Sequence, residues 1–173
     1  VVLEIGSGAG AHSALFARHG AAVTSLDLTA DRVLASARKL DWVDTAGHFT
    51  LQGDAEFLPF PDSCFDIVYS NGVLHHTPDT AKAIQEVFRV LKPGGRAVIM
   101  LYARHSFNYW INLFLIRGIL RGEIFRSRNW LGRITEWMAP GVQRYLNPVT
   151  KVYSAAEARR LFSQFASVRI RKY

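Results

Sequence analysis

The residues with the clearest chemical potential are the glycines near the start of the chain, in Gly6-Ser7-Gly8-Ala9-Gly10. They follow the apolar run Val1–Ile5, which is typical of a buried parallel strand. They precede a helix expected at about Ala11–His19, with Leu15 and Phe16 on its apolar face. A glycine turn at this junction lets a ligand lie against the backbone, where a Cβ would collide with it. The pattern therefore predicts a site for a nucleotide-type cofactor.

The spacing of these glycines does not by itself name the cofactor. Residues 6–11 also satisfy the G-x-G-x-x-G/A pattern of dinucleotide binders, and Asp27 lies about 20 residues further on, where such proteins place a ribose-binding acid. A glycine turn that only packs a helix on a strand is a third interpretation. The chain contains no G-x-x-x-x-G-K-[ST] loop, which disfavours a P-loop enzyme.

Four later segments narrow the choice. Ser25–Leu28 ends a second strand with an acid, Gly53–Phe60 follows a third, Phe65–Asn71 forms a fourth, and Leu91–Arg96 precedes a fifth at Ala97–Tyr102. Taken in this order, the segments resemble the class I S-adenosylmethionine-dependent methyltransferases, in particular their small-molecule, type 11-like branch. The resemblance covers about residues 1–102 closely and resumes loosely over 150–173. It implies an α/β fold with a Rossmann-like, doubly wound, mainly parallel sheet in three α/β/α layers.

The resemblance implies that the ends of the second and third strands hold the adenosine part of S-adenosylmethionine. Asp27 lies where open α/β sheets bind ligands, and its carboxylate can accept hydrogen bonds from both ribose hydroxyls. Leu28 is expected to pack on the adenine face. Asp54 is expected to accept from the adenine amino group, and the Ala55 N–H to read the ring. The alternatives are that Asp27 is an ordinary acid before a helix and that Asp54 is a turn former.

By the same resemblance, the methionine part of the cofactor is assigned to the first and fourth strands. Glu4 is expected to orient it, often through water, and Asn71 to offer acceptors near its ammonium group. Gly6, Gly8 and Gly10 complete the expected contacts, and the product S-adenosylhomocysteine would bind in the same place. The cofactor carries no phosphate, and no Lys or Arg stands in the glycine turn.

Two adjacent histidines, His75 and His76, follow the fourth strand and are the candidate catalytic residues. A histidine there would face the transferred methyl group, and its near-neutral pKa suits a general base. Methyl transfer is an in-line displacement for which positioning supplies much of the acceleration. The alternative is therefore that one histidine lines the pocket and the other holds the loop. Without a Cys or acid at ligand spacing, the pair predicts no metal site.

Capping residues mark the starts of three helices: Thr29, Asp79 and the capping box Ser154-Ala155-Ala156-Glu157. Apolar residues at helical spacing follow the first two starts and are predicted as core. They are Val33, Leu34, Ala37 and Leu40 in one helix, and Ile84, Val87, Phe88 and Leu91 in the other.

Both ends of the chain are expected to truncate the sheet. The chain starts inside the first strand and stops at Tyr173, after a sixth strand expected over Phe165–Arg171. The family's seventh strand, antiparallel between the fifth and sixth, is missing. We assign residues 1–102 to a cofactor-binding core, 103–150 to a helical lid inserted over the acceptor pocket, and 151–173 to the final helix and strand of the same domain.

Charge separates the two halves of the chain. Residues 1–91 carry 11 acidic and 6 basic side chains, whereas residues 92–173 carry 3 acidic and 15 basic ones. Within 103–150, seven arginines stand against two glutamates, among eight aromatic residues. This composition fits a lid packed on the domain, an anionic or lipophilic acceptor, or a peripheral contact with an anionic membrane surface. Arginine also recognises nucleic acid, but no RNA-binding signature accompanies it.

The expected function is methyl transfer from S-adenosylmethionine to a small-molecule acceptor. A dinucleotide-binding oxidoreductase of the NAD type is one alternative, although the Asp54-Ala55 pair and Leu91–Gly95 have no role in it. A catalytically inactive cofactor-binding module is another. Cys64 is the single cysteine, and neither a signal peptide nor a transmembrane run is visible, so a cytoplasmic protein is predicted.

Overall fold

The computed structural model describes residues 1–43, 47–104, 106, 108–126, 130–131 and 149–172. The chain forms two compact units, one made of residues 1–74 and 79–100, the other of residues 75–78 and the chain from Leu101 onward. The closing segment 151–172 groups with the second unit. The division into core, lid and closing segment stays a prediction.

A parallel sheet of five strands forms the centre of the first unit. The strands are β1 Val2–Ile5, β2 Val23–Asp27, β3 His48–Gln52, β4 Phe65–Asn71 and β5 Leu91–Met100. Their order is β3-β2-β1-β4-β5, and every neighbouring pair is parallel. The winding reverses between β1 and β4, which is where open α/β sheets bind ligands beyond the carboxyl ends of their strands. The predicted doubly wound sheet is confirmed.

The central strand β1 is buried along its whole length, because strands flank it on both sides and helices cover the sheet. The helices of this unit are α1 Ala11–Arg18, α2 Ala30–Val43 and α3 Thr80–Val90. Right-handed crossovers place α1 and α2 on one face of the sheet and α3 on the other. Beyond Leu91, which pairs with Phe65, the register of β5 shifts so that Arg96 pairs with Ile67. Residues 92–95 therefore bulge out before regular pairing begins.

The buried face of α1 differs from the predicted one. Leu15 is 52% exposed, whereas Ser13, Ala14 and Ala17 are buried. These small residues let α1 pack close to the sheet, where the Ser13 hydroxyl donates to the buried carboxylate of Glu4. Phe16 remains packed against the core, as expected.

The other two predicted stripes are only partly confirmed. On α2, Leu40 is buried but Leu34 is exposed, and on α3, Ile84 and Val87 are buried but Phe88 is exposed. Leu91, predicted on the second stripe, instead begins β5 and is buried there. Each buried stripe is therefore narrower than expected. Asp79 accepts from the Lys82 N–H at 3.1 Å, as predicted. Thr29 directly precedes α2, and its hydroxyl donates to Asp27 at 3.1 Å. Its role as a cap stays a prediction.

The second unit contains a π-helix at Asn108–Leu120, α4 at Glu123–Arg126 and α5 at Ala155–Leu161. The π pattern is visible at the helix end, where the Arg121 N–H donates to the Ile116 carbonyl at 3.1 Å. The predicted capping box at the start of α5 is confirmed in both of its hydrogen bonds. Across the described part of the chain, no helix combines the length and the apolar character needed to cross a bilayer.

A single parallel bridge joins Ala103 to Tyr153 in this unit. The Tyr153 N–H donates to the Tyr102 carbonyl at 2.8 Å, and the Arg104 N–H donates to the Tyr153 carbonyl at 3.0 Å. The long segment between these residues therefore leaves and returns at the same point.

The sixth strand predicted over Phe165–Arg171 is wrong. Residues 162–166 form turns and bends, and residues 167–172 are irregular, without ladder pairing to any described strand. A strand needs a neighbour to receive its backbone hydrogen bonds, and the alternation of apolar and basic residues from Val168 to Arg171 does not supply one. Val168 is accordingly exposed.

Candidate functional site

The glycine turn after β1 divides into packing positions and an open one. Gly6, Gly8 and Gly10 all have positive φ, at 75°, 54° and 74°. A Cβ on Gly6 would lie 2.2 Å from a Val73 methyl carbon, and one on Gly10 would lie 2.9 Å from the Ser36 Cα. A Cβ on Gly8 would meet nothing within 4 Å. Two glycines are therefore required by the packing of the fold, and Gly8 leaves a cradle open to a ligand.

Asp27 ties this turn to the end of β2. Its Oδ2 accepts from the Gly8 N–H at 2.9 Å, and its Oδ1 accepts from the Thr29 N–H at 3.0 Å and the Thr29 hydroxyl at 3.1 Å. An ionised carboxylate offers roughly four acceptor positions, so these three bonds leave capacity for a ligand hydroxyl. The bonds also hold the carboxylate beside the glycine cradle.

Glu4, in the middle of the sheet, is 2% exposed and is enclosed by α1. The Ser13 hydroxyl donates to its Oε2 and lies 2.5 Å from the Ser25 hydroxyl. His12 Nδ1 lies 3.4 Å from Glu4 Oε1. Burial raises the pKa of Glu4, while the Ser13 bond and His12 act in the opposite direction. The contacts of the Glu4 carboxylate described here are therefore with Ser13 and His12 of α1. Its contact with the methionine part of a cofactor stays a prediction.

The loop after β3 is joined to the same edge of the sheet. The Gly53 N–H donates to the Asp27 carbonyl at 2.9 Å. The Asp54 Oδ1 accepts from the Glu56 N–H at 2.9 Å, which closes a turn around the buried Ala55. Asp54 is thus a turn former, and it is also exposed beside the end of β2, where the adenine-binding role was predicted.

Two buried hydroxyls lie at this edge without a partner. In the part of the chain that the structure describes, Ser7 Oγ and Ser70 Oγ have no hydrogen-bond partner. Ser7 belongs to the glycine turn, and Ser70 lies at the end of β4, next to the exposed Asn71. A buried polar group without a partner costs free energy, which a bound ligand would recover. Sequence reasoning missed both serines, because serine in a glycine turn or a strand carries no distinctive signal.

The structure brings the predicted cofactor residues together on one unit. Because the carboxyl ends of neighbouring parallel strands share one edge, the residues that end or directly follow β1, β2, β3 and β4 lie close to one another. These are Gly6, Gly8, Gly10, Asp27, Leu28, Asp54, Ala55 and Asn71. Leu28 is 66% exposed, so its apolar side chain is available to a planar ring. Glu4 is the exception, since it lies within β1.

The two histidines belong to the second unit and differ from each other. His75 is fully buried, with its ring centroid 4.1 Å from that of His76 and 3.9 Å from that of Tyr102. Neither of its ring nitrogens has a hydrogen-bond partner among the described residues. Burial, reinforced by His76, lowers the pKa of His75 to about 3. His75 is therefore a neutral ring at physiological pH.

His76, by contrast, is held in a defined orientation. Its Nδ1 lies 3.0 Å from the Val149 carbonyl and 3.1 Å from the Thr150 hydroxyl. A carbonyl only accepts, so Nδ1 carries the proton that this bond requires. A catalytic role for either histidine stays a prediction.

A parallel, doubly wound sheet with a glycine cradle and acids at its carboxyl edge defines a nucleotide-cofactor domain of the α/β class. Residues 3–99 match the family model described as a methyltransferase domain. The chain belongs to this type 11 methyltransferase domain family, and its cofactor is S-adenosylmethionine. The residues present fit that cofactor. Gly8 is open, two buried hydroxyls at the same edge lack partners among the described residues, and no cation for a phosphate stands in the turn.

Relatives extend the likeness to most of the chain. The protein YafE of Escherichia coli K12, described as uncharacterized, is 29% identical over 172 residues, which cover 91% of this chain and 83% of YafE. The malonyl-[acyl-carrier protein] O-methyltransferase of Pectobacterium atrosepticum is 40% identical over 94 residues, 54% of this chain and 35% of that enzyme. The crystal structure of YcgJ from Bacillus subtilis superposes with a TM-score of 0.68 at 27% identity, covering 94% of this chain and 59% of YcgJ.

Proposed function

We propose that the protein transfers a methyl group from S-adenosylmethionine to a small-molecule acceptor that is anionic or lipophilic. The open glycine cradle beside Asp27, in a chain of this family, is the observation that carries the proposal. When bound, the cofactor would supply a methyl group from a positively charged sulfur. After the transfer, this sulfur would belong to a neutral thioether, the leaving group. The protein has to hold the acceptor in line with that methyl group, and positioning of this kind lowers the barrier substantially.

The chain's own residues divide the work of binding the cofactor. Asp27 accepts from the ribose hydroxyls with the acceptor capacity that Gly8 and Thr29 leave. Leu28 covers the adenine face, while Asp54 and the Ala55 N–H read its edge.

At the other end of the cofactor, Asn71 offers acceptors to the ammonium group, and Glu4 orients this end through α1. The unpartnered hydroxyls of Ser7 and Ser70 donate to the carboxylate of the methionine part. These bonds would remove the cost of leaving two buried hydroxyls unpaired.

The composition of the second half of the chain supports an anionic acceptor. Fifteen basic side chains against three acidic ones in residues 92–173 favour an anionic partner, and arginine recognises carboxylates in a bidentate manner. The relative from Pectobacterium acts, by its name, on a malonyl group, which supports an acceptor with a carboxylate. We assign His76 as the general base where the acceptor atom must lose a proton, and His75 as the ring against which His76 packs.

The π-helix presents a second feature, an apolar face that is exposed to solvent. Its exposed residues are Trp110, Ile111, Leu115, Ile116, Ile119 and Leu120, and Phe125 of α4 is also exposed. Positions 110, 115 and 120 are each separated by five residues, which is the span of the π-helical hydrogen bond. Arg117, Arg121 and Arg126 accompany them. This combination of apolar and cationic side chains favours peripheral contact with an anionic lipid surface, from which a lipophilic acceptor would be taken.

Calorimetric titration tests the cofactor assignment directly. We expect S-adenosylhomocysteine to bind and NAD not to bind. Asp27→Ala should weaken binding of S-adenosylhomocysteine by about 1.5–3 kcal/mol, because charged hydrogen bonds to the ribose are lost. Asp31→Ala, which removes an exposed acid from the first turn of α2, is the matched control and should bind normally. Unchanged affinity in a folded Asp27→Ala variant counts against the assignment.

Sedimentation with phospholipid vesicles tests the lipid contact. We expect the protein to bind vesicles that contain anionic lipid and to bind purely zwitterionic vesicles several-fold more weakly. Leu115→Ser with Leu120→Ser should remove most of the binding, because the apolar face then loses two of its side chains. Leu34→Ser, which changes an exposed leucine on α2, is the control. Equal binding by the double variant and the native protein would exclude this face as the contact.

A further inference from the structure

The loop between β3 and β4 is fastened to α3 by an arginine and a glutamate that sequence reasoning did not single out. Arg89 Nη1 donates to the Phe60 carbonyl and to Asp62 Oδ1, both at 2.7 Å, and Nη2 donates to the Leu58 carbonyl at 3.0 Å. We call Arg89 and Glu86, with these loop contacts, the loop clamp. One guanidinium thus holds three residues of the loop.

Glu86 completes the loop clamp from the neighbouring turn of α3. It accepts from the Leu58 N–H at 2.8 Å, and its two oxygens accept from Arg89 Nε and Nη2, each at 2.8 Å. This is the bidentate geometry in which an arginine–carboxylate pair is strongest. The paired guanidinium lowers the pKa of Glu86. Leu58 is therefore held through both its N–H and its carbonyl.

Further contacts join the turn at Asp54 and Ala55, for which adenine binding is proposed, to the start of α3. The buried Glu56 accepts from the Asp79 N–H at 2.6 Å, and its own N–H donates to Asp54. Lys82 Nζ lies 3.1 Å above the Phe57 ring, in cation–π contact. Residues 54–62 form no strand or helix. Because no regular backbone hydrogen bonds hold this loop, its hydrogen bonds to side chains fix its position.

We propose that Arg89 and Glu86 are positioning residues for adenine recognition, which rests on the function proposed above. Asp54 and Ala55 lie between two anchors, the Gly53 bond to Asp27 on one side and the clamped Leu58 on the other. A carboxylate reads an amino group only when the separation is within a few tenths of an ångström of the hydrogen-bond distance. Releasing the second anchor lets the turn move, and the preference for adenine over a ring without the amino group is lost.

The test compares two ligands, S-adenosylhomocysteine and S-inosylhomocysteine, in which an oxo group replaces the adenine amino group. The native protein should prefer the adenine ligand by about tenfold or more, since the amino group donates to a charged acceptor. Arg89→Gln should reduce this preference to within about threefold of unity. Arg89→Lys keeps the charge but not the fork and should behave similarly. Glu86→Gln keeps an acceptor for the Leu58 N–H, so its preference for the adenine ligand should fall less than that of the arginine variants. It replaces them in the test if they do not fold.

Two controls separate positioning from general loss of stability. Arg38→Gln removes an exposed arginine from α2 and should keep the full preference. Asp54→Ala should abolish the preference, and adding Arg89→Gln to it should lower the preference no further, because both act on one contact. A folded Arg89→Gln or Glu86→Gln variant that melts earlier but keeps the native preference overturns the proposal. If the native protein binds neither ligand, the proposed function itself fails, and the clamp's role with it.

Discussion

The two units of this protein specify their ligands in different ways. In the first, the polar groups of the site are bonded to backbone at fixed points: Asp27 to Gly8, Asp54 to Glu56 and Glu86 to Leu58. In the second, the notable side chains are an exposed apolar helix face and an excess of arginine. A site made of fixed hydrogen bonds recognises one molecule, whereas a surface defined by composition recognises a class. If the proposed function holds, geometry specifies the identity of the cofactor, and chemical character specifies the identity of the acceptor.

The largest effect is expected from removing the part of the second unit to which we assign acceptor binding. Replacing residues 105–150 with a short flexible linker should abolish methyl transfer, because the acceptor loses the aromatic and arginine residues that we assign to it. The affinity for S-adenosylhomocysteine, measured by calorimetry, should stay within a few-fold of the native value, since every assigned cofactor residue lies before residue 72. If the shortened protein folds but no longer binds the product, the segment belongs to the cofactor site and the comparison is wrong.

A smaller effect is expected from His76. His76→Gln should lower turnover by about a hundredfold if Nε2 accepts a proton from the acceptor, and cofactor affinity should not change. Turnover would be measured with an acceptor found by screening anionic and lipophilic small molecules against labelled cofactor. His19→Gln changes an exposed histidine of the first unit and is the matched control. A loss of less than about tenfold would assign catalysis to positioning alone.

The smallest effect concerns the pH dependence of stability. The pKa of His75 falls from an ordinary 6.5 to about 3 in the folded protein, so between these values the unfolded chain binds a proton that the folded chain does not. Stability is therefore full above the unfolded pKa and is lost as the pH falls. We expect the free energy of unfolding to decrease by about 2 kcal/mol from about pH 7 to about pH 5.

Denaturant titration at both pH values checks this expectation. His75→Phe should flatten the dependence, because it keeps a buried ring and removes the titrating group. The lowered pKa values of Glu86 and Glu157 affect stability mainly at lower pH, whereas the raised pKa of Glu4 acts in the opposite direction to His75 as the pH falls. The difference between the native protein and His75→Phe therefore isolates the contribution of His75. An unchanged pH dependence in His75→Phe would mean that the ring is not enclosed in solution.

Much of the first unit was predictable because its signals are local. The apolar run of β1, the glycine turn and the Asp79 cap each act within a few residues, and each is where it was expected. The face of α1 was not predictable, because Ser13 is buried by a bond to Glu4 and hydrophobicity does not reveal such a bond. The prediction of a sixth strand was wrong for a related reason. A strand forms only beside a neighbouring strand, and the alternation of residue types within a segment does not reveal whether such a neighbour exists.

The site was predictable to a similar extent. The positions of Gly8, Asp27 and Asp54 at one edge follow from strand order alone. The loop clamp does not, because Arg89 and Glu86 bond to residues about 30 positions earlier, and charged side chains on a helix usually indicate a solvated face. The difference between His75 and His76 was equally hidden, since only the fold buries one of them.

The bridge between Ala103 and Tyr153 bears on which changes of length the segment between them can tolerate. An excursion that leaves and returns at one point costs only slightly more closure entropy as it lengthens, with each doubling adding about 0.6 kcal/mol. Such an excursion can grow, shrink or be replaced while its two attachment points stay in place. If the proposed function holds, grafting a segment of a relative between residues 104 and 151 should change the acceptor and leave the proposed cofactor residues as they are.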